Sequence, residues 1–505
     1  MRGDEVYVGI DVSTTAVKAV AWSAGGEAAA EVRQALDTYR PEPHRFEQDA
    51  GQWWTATCGV LRRLAARLHD RPVAALAIAH QRETFVPLDR HGDPLGPALT
   101  WLDARGESEM AAVRAQVDDD DLRRITGKNP NYGPALYKIA WINRHRPDLR
   151  GRIRIADVQA FLAERLCGEF ATSHSSADPL ALFDINRRAW SAPLCAAVDL
   201  DTDDLPRVVA PGTPVGTLTP AAADATGLPA STLVVAGGGD GQCAGLGVNA
   251  LDNGRAYLNL GTAVVAGLFS ATPRVSTDWR TLTACAADGY YLESSLRSGA
   301  LLSDWFLRRI CGLDPLTDHG EFERLENEAR RIAPGANGLL LLPYWEGVMN
   351  PYWDEGARGV ILGLADHHDR ASVYRALIEG IAMEQALFLE AAATAGAEVP
   401  DVMVAIGGLA RSALWCQTVA DVLGVPLSRS PSVEAASLGA ATCAAAGAGA
   451  FASTRDAAAA MAGADGDLFR PHGEHHDRHR RRLDVYRELY RTVRPIMARL
   501  EALGG

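Results

Sequence analysis

One pattern constrains this chain more than any other, because it occurs twice, about half a chain apart. Tyr7 to Ile10 is a short apolar run that ends at Asp11, passes through Ser13, Thr14 and Thr15, and resumes as Val17 to Trp22. Tyr257 to Leu260, then Gly261-Thr262, then Ala263 to Phe269, repeats the plan. Apolar runs of this length on either side of a polar turn read as hairpins of buried strands. A chain of 505 residues is too long for one hydrophobic core. The repeat therefore predicts two lobes of like architecture, each giving one hairpin to a cleft between them. Two unrelated hairpins are the alternative.

The stretch from Val234 to Gly267 joins the halves and holds a buried strand, Gly237-Gly238-Gly239, Asp240, a small-residue helix and the second hairpin. A carboxylate at the mouth of a glycine turn is a candidate general base. A Gly-Thr turn lets backbone N–H groups approach a phosphate. Taken singly, each motif also fits an ordinary turn. The lobe boundary is expected near residue 248, giving lobes 1–248 and 249–505.

Further candidates lie along the chain. Val73 to Ala79 reads as a buried strand ending in His80-Gln81-Arg82-Glu83-Thr84, and ligands of open α/β sheets sit at strand ends. Arg82 and Glu83 offer a donor fork and an acceptor, suited to the hydroxyls of a polyol or sugar; a salt-bridged loop is the alternative. Trp101 and Tyr132 are placed either to border a sugar or to fill core. Gly407-Gly408 precedes a helix expected to open at Ser412, a place where a nucleotide can enter. Glu434 to Ala446, rich in small residues, predicts a helix that packs very closely.

Hydrophobic residues make up 47% and charged residues 22%, the balance of an ordinary globular protein. A formal net charge of -13 and the absence of a dense basic stripe argue against nucleic acid as partner. The eight cysteines form no CxxC pair and are expected to be reduced thiols. No apolar run suggests a signal peptide or a membrane span, so a cytoplasmic protein is expected. His472, His475, His476 and His479 lie among arginines and read as a solvated helix start rather than a metal site.

With these residues in hand, the chain resembles the FGGY family of carbohydrate kinases along nearly its whole length. The blocks that carry the likeness are YVGIDVSTTAVKAV, VVAGGGDGQCAGLG, AYLNLGTAVV, LPYWEGVMNPYWDEGARGVILGL and AIGGLARSALWCQTVADVLGVPL with EAASLGAA. The resemblance implies an α/β, actin-like, hexokinase-type ATPase fold, two lobes each built on a mixed five-stranded sheet flanked by helices. It implies ATP and Mg2+. Asp240 matches the catalytic base, and Asp11 the acid that orients magnesium. Thr14, Thr15, Gly261, Thr262, Gly299, Gly407, Gly408 and Ser412 match positions around ATP. Arg82, Glu83, Trp101, Tyr132 and Gln242 join Asp240 on the acceptor side.

The implied reaction is ATP-dependent phosphorylation of a primary hydroxyl on a small ketose or polyol, with a xylulokinase-type ketopentose kinase foremost. Departures keep a glycerol or other polyol kinase open. Gln81-Arg82-Glu83-Thr84 stands where xylulokinases usually carry Gln-Met-His-Gly, whereas glycerol kinases usually lack Trp101-x-Asp103-x-Arg105. A nucleotide-dependent binding or regulatory protein of the same fold is the rival of another class. An oxidoreductase is set aside, since GGGDGQ lacks the spacing of a dinucleotide loop. The expected partner is a small sugar or polyol, and a homodimer is a common state for such chains.

Overall fold

The computed structural model describes residues 4–69, 71–286, 288–463 and 466–504. The N-terminal sheet consists of β1 (Val6–Val12), β2 (Ala16–Trp22), β3 (Ala28–Ala35), β4 (Val73–His80), β5 (Pro214–Thr217) and β6 (Leu233–Gly239), in the order β5-β6-β4-β1-β2-β3. The C-terminal sheet consists of β7 (Arg255–Leu260), β8 (Val264–Ser270), β9 (Arg280–Thr283), β10 (Tyr290–Leu296), β11 (Val402–Ile406), β12 (Leu427–Arg429) and β13 (Leu468–Phe469). Its order is β9-β10-β8-β7-β11-β12-β13.

The two sheets share one plan. β3-β2-β1 is an antiparallel meander, and β4 and then β6 join β1 in parallel. β10-β8-β7 is likewise antiparallel, with β11 and then β12 added in parallel. The expected five-stranded core is thus present in both lobes, extended at its edges by β5 in one and by β9 and β13 in the other. The pairing leaves four residues in the first turn, Ser13 to Ala16 between Val12 and Val17, and three in the second, Gly261 to Ala263 between Leu260 and Val264. The central strands are apolar runs because both faces are covered; β10 is buried along its whole length.

Helices begin where side chains cap them. Asp49 accepts the Gly51 N–H ahead of α1 (Ala50–Leu68), whose Trp53 is fully buried. Asp157 caps Val158–Cys167, which Gly168 ends in a left-handed turn; the helix is buried on most sides rather than amphipathic, because it lies under the N-terminal sheet. α2 (Asp240–Gly247) starts directly at the end of β6. α3 (Arg370–Thr394) runs through the C-terminal core, and Ser412 caps α4 (Ala413–Leu423). α6 (Gly473–Gly504) closes the chain.

The small-residue segment forms α5 (Ala435–Gly447), and it packs as closely as its composition predicts. A Cβ on Gly9 of β1 would lie 1.8 Å from the Ser437 carbonyl, and one on Gly439 would lie 1.8 Å from the Cys243 carbonyl. Only hydrogen fits there. A helix from the C-terminal half is therefore bound to the N-terminal sheet and to α2, and a third core between the two sheet cores gathers residues from both halves. Among the described residues, no helix is long and apolar enough to cross a membrane.

Candidate active site

Both hairpin turns open on one cleft of about 370 Å³. Asp11, Ser13 and Thr14 line it from the first hairpin, Thr262 and Ala263 from the second, and Ile406 and Gly407 from the end of β11. Asp240, Arg82, Glu83 and Trp101 complete the wall on the N-terminal side. The repeat, Asp240 and the polar strand end thus converge, although Gly237-Gly238-Gly239 are the last residues of β6 rather than the expected turn, and α2 follows directly.

The first turn is braced from behind. Thr14 Oγ1 donates to Gln81 Oε1 at 3.2 Å and accepts the Trp101 indole N–H at 3.0 Å. Trp101 is thereby fixed by its polar edge while it lines the cleft. Thr15 is exposed, its carbonyl receiving the Leu36 N–H. In the second turn the Thr262 carbonyl accepts the Gly299 N–H at 3.0 Å, and the Gly261 carbonyl accepts the Ala300 N–H at 2.8 Å. The helix that begins at Ala300 is anchored on this turn. Gly407 has φ +90°, and a Cβ there would lie 2.7 Å from both Asn259 Oδ1 and the Leu260 carbonyl. Gly408 faces open space, whereas the Ser412 hydroxyl caps α4 and donates to Glu326 at 2.6 Å.

Asp240 stands at the first turn of α2 with 44% of its side chain exposed. Its Oδ1 accepts the Gly241 N–H at 2.7 Å and lies 3.0 Å from Arg82 Nε. Arg82 in turn grips Glu293 through Nη1, at 2.8 and 3.0 Å. Glu293 also accepts the Tyr257 hydroxyl at 2.8 Å and Arg280 Nε at 2.6 Å, and Arg280 Nη1 reaches Glu83 at 2.9 Å. A continuous chain of alternating charge thus runs from Asp240 through Arg82, Glu293 and Arg280 to Glu83. Burial alone would raise the Glu293 carboxyl, but Arg280 and Arg82 beside it hold it down at about 2. Glu83 has φ +61°, a conformation that costs a non-glycine residue free energy. Its carbonyl accepts Lys138 Nζ at 3.2 Å, and Lys138 also donates to the Thr100 carbonyl at 2.7 Å.

Arg82 and Glu83 therefore line the cleft, as expected, but each is fixed by a protein partner that the sequence reading missed. Glu293 lies in Tyr290–Leu296, a lone charge in a strand of otherwise uncharged residues, and a charge in a buried strand must have a partner. That was the signal available. Arg297 was missed as well; it lines the cleft, pairs with Glu355 at 2.9 Å, and lies 5.0 Å over the Tyr132 ring. Tyr132 thus supports the cleft wall through Arg297. Gln242 is fully buried and donates to the Ser175 carbonyl at 2.9 Å, turned towards the protein interior. Asp103 and Arg105 bind each other at 2.8 Å, and Arg105 also binds Glu47 at 2.6 Å.

Asp11 is the other exceptional acid. Its Oδ1 is buried without a hydrogen-bond partner. Burial raises its carboxyl to about 7, helped by the nearby carboxylates of Asp240 and Glu434 and opposed by Lys18. Lys18 is held by Glu434 at 2.6 Å. An orphaned carboxylate oxygen among other carboxylates is a fitting place for a hard divalent cation.

Comparison with known proteins settles the family. Residues 6–247 match the N-terminal domain and residues 256–448 the C-terminal domain of the FGGY family of carbohydrate kinases. The chain belongs to this family. It is 32% identical over 425 residues to the xylulose kinase of Escherichia coli K12, covering 84% of this chain and 86% of that one. It is 31% identical over 472 residues to the glycerol kinase of Methylibium petroleiphilum, covering 89% and 92%. The crystal structure of a ligand-bound xylulose kinase from Lactobacillus acidophilus superposes with a TM-score of 0.90 at 20% identity, over 98% of this chain and 100% of that one. The protein is an ATP-dependent sugar kinase of actin-like fold.

Proposed function

We propose that this kinase phosphorylates a primary hydroxyl of a small neutral ketose or polyol, with a ketopentose of the D-xylulose type as the foremost substrate and Asp240 as general base. The observation that carries the reading is the position of Asp240, in a cleft shared with both hairpin turns, fixed by Arg82, with its carboxylate still accessible. A group so placed can take the proton of an attacking hydroxyl as the oxygen bonds to phosphorus. The backbone of the two turns and Thr14 would receive the phosphates of ATP, and Gly407 and Gly408 leave room for the rest of the nucleotide. Asp11, with Asp240 beside it, would hold magnesium, which supplies charge neutralisation on the phosphates. Closure over the acceptor would exclude water, so that the hydroxyl rather than water is the nucleophile.

A neutral acceptor is supported by the charge balance of the wall, where the guanidiniums of Arg82, Arg280 and Arg297 are each matched by Glu293, Glu83 or Glu355. Among the described residues, no arginine of the cleft wall is left over to select a carboxylate. A polyol such as glycerol is the second reading, favoured by Arg82 and Glu83 on the cleft wall and by the glycerol kinase likeness. A coupled ADP-release assay over D-xylulose, D-ribulose, L-ribulose, xylitol, erythritol, glycerol and the sugar acid D-gluconate tests the proposal. The expected result is highest kcat/KM on a ketopentose. Turnover confined to a sugar acid, or ATP hydrolysis that none of these acceptors stimulates, would overturn it.

A further inference from the structure

Away from the cleft, the start of α6 folds back on the last turns of α4. Asp421 of α4 is buried, with 3% of its side chain exposed. Its Oδ1 accepts the backbone N–H of His472 and the Gln417 amide, both at 2.9 Å. The same oxygen lies 3.0 Å from His472 Nδ1, and Oδ2 lies 2.8 Å from His475 Nδ1. A carboxylate oxygen and two imidazole nitrogens, one from each residue, all lie within 4.8 Å of one another. Ligands bound to zinc at 2.0 to 2.2 Å in a tetrahedral site lie about 3.3–3.6 Å apart, so side-chain shifts of about an ångström would bring these three atoms onto one ion.

We propose that Asp421, His472 and His475 form a binding site for a divalent transition metal, zinc by its donor set, that is separate from the kinase cleft. Two imidazoles and one carboxylate suit zinc, nickel or copper and not magnesium, which takes oxygen ligands. Three protein ligands leave a fourth position for water, and His472 and His475 are open enough to admit it, with 59% and 39% of their side chains exposed. In the metal-free protein each Nδ1–H donates to Asp421. On binding, the ring proton moves to Nε2 and the Nδ1 lone pair goes to the ion, with no change in oxidation state. The Gln417 amide and the His472 N–H stay on Asp421 and orient it, as outer partners of metal ligands do.

Two of the four arginines at 478–482 that made a metal implausible from sequence alone are drawn elsewhere. Arg478 donates to the Pro334 carbonyl at 3.0 Å, and Arg482 to the Leu339 carbonyl. His476 lies outside the ligand set, with Nδ1 3.3 Å from the Asp421 backbone carbonyl.

The test is titration of tag-free, chelator-stripped, full-length protein with ZnCl2 by calorimetry, alongside cobalt(II) absorption spectroscopy. The wild type is expected to bind one zinc per chain more than the His472→Ala/His475→Ala double variant. His475→Ala or His475→Gln should weaken that zinc by at least 10-fold, and His476→Ala should leave it unchanged. Equal zinc affinity and stoichiometry in the wild type and the double variant would overturn the proposal. So would the absence of tetrahedral cobalt bands from the wild-type protein, a measurement that does not depend on how the variants fold.

Discussion

Glu293→Gln tests the charge chain behind the cleft. The substitution keeps shape and hydrogen-bonding capacity but removes the negative charge that Arg82 and Arg280 share. Held at about 2 against an ordinary 4.5, the carboxylate carries on the order of 3 kcal/mol of favourable interaction with its surroundings. Removing one partner of a buried ion pair costs about 3–5 kcal/mol by a separate route of estimation, so the two agree. At 2–4 °C per kcal/mol for a unit the size of one lobe, the melting temperature should fall by about 10 °C. The pH dependence has a definite sign. A carboxyl depressed on folding stabilises fully above its unfolded value near 4.5 and loses that contribution as pH falls towards 2. The deficit of the variant should therefore be complete at pH 7 and shrink below pH 4. Turnover should fall too, because Arg82 would then have Asp240 but not Glu293 as a carboxylate partner, while KM for ATP should change little. Thermal melts at several pH values, with steady-state kinetics at pH 7, provide the check. Wild-type melting temperature and kcat in the variant would refute the reasoning.

Two further substitutions probe the nucleotide side. Asp11→Asn should abolish most activity yet stabilise ion-free protein at pH 8. Asp11 is raised to about 7 on folding, so its contribution to stability falls as pH rises from its unfolded value through 7. The gain, at most about 4 kcal/mol, should vanish near pH 4, and melts of ion-free protein at the two pH values would show whether it does. Gly407→Ala places a Cβ 2.7 Å from Asn259 Oδ1 at φ +90°. It should cost about 1–3 kcal/mol and raise KM for ATP more than KM for the acceptor; equal effects on both would count against a nucleotide role for this turn.

Much of this architecture was legible in the sequence because strand-turn-strand periodicity is a local signal. The twin hairpins, the strand ending at His80, the strand and small-residue helix on either side of Asp240, the Ser412 cap and the close-packing helix at 435–447 all follow from patterns within about fifteen residues; the glycine turn expected before Asp240 is instead the end of a strand. What the sequence hid was long-range pairing. Arg82 and Glu293 are 211 positions apart, and Arg280 and Glu83 are 197 apart; nothing local says which charges meet. The same holds for Cys243 and Cys285, free thiols whose sulfurs lie 3.7 Å apart although their spacing shows no motif. Gln242 misled for a different reason. It follows Asp240 in sequence, but two residues along a helix turn a side chain through about 200°, which carries it away from the cleft.

The central claim is that Asp240 removes the proton from the acceptor hydroxyl, and Asp240→Asn tests it most directly. Asparagine keeps the size and the Gly241 N–H contact but cannot take a proton. With saturating ATP and the best acceptor, kcat should fall by about 10²–10⁴-fold, while the affinity for ATP, measured by calorimetry, stays within a few-fold of wild type. Sugar-dependent turnover within ten-fold of wild type in a variant that still binds ATP would contradict the account.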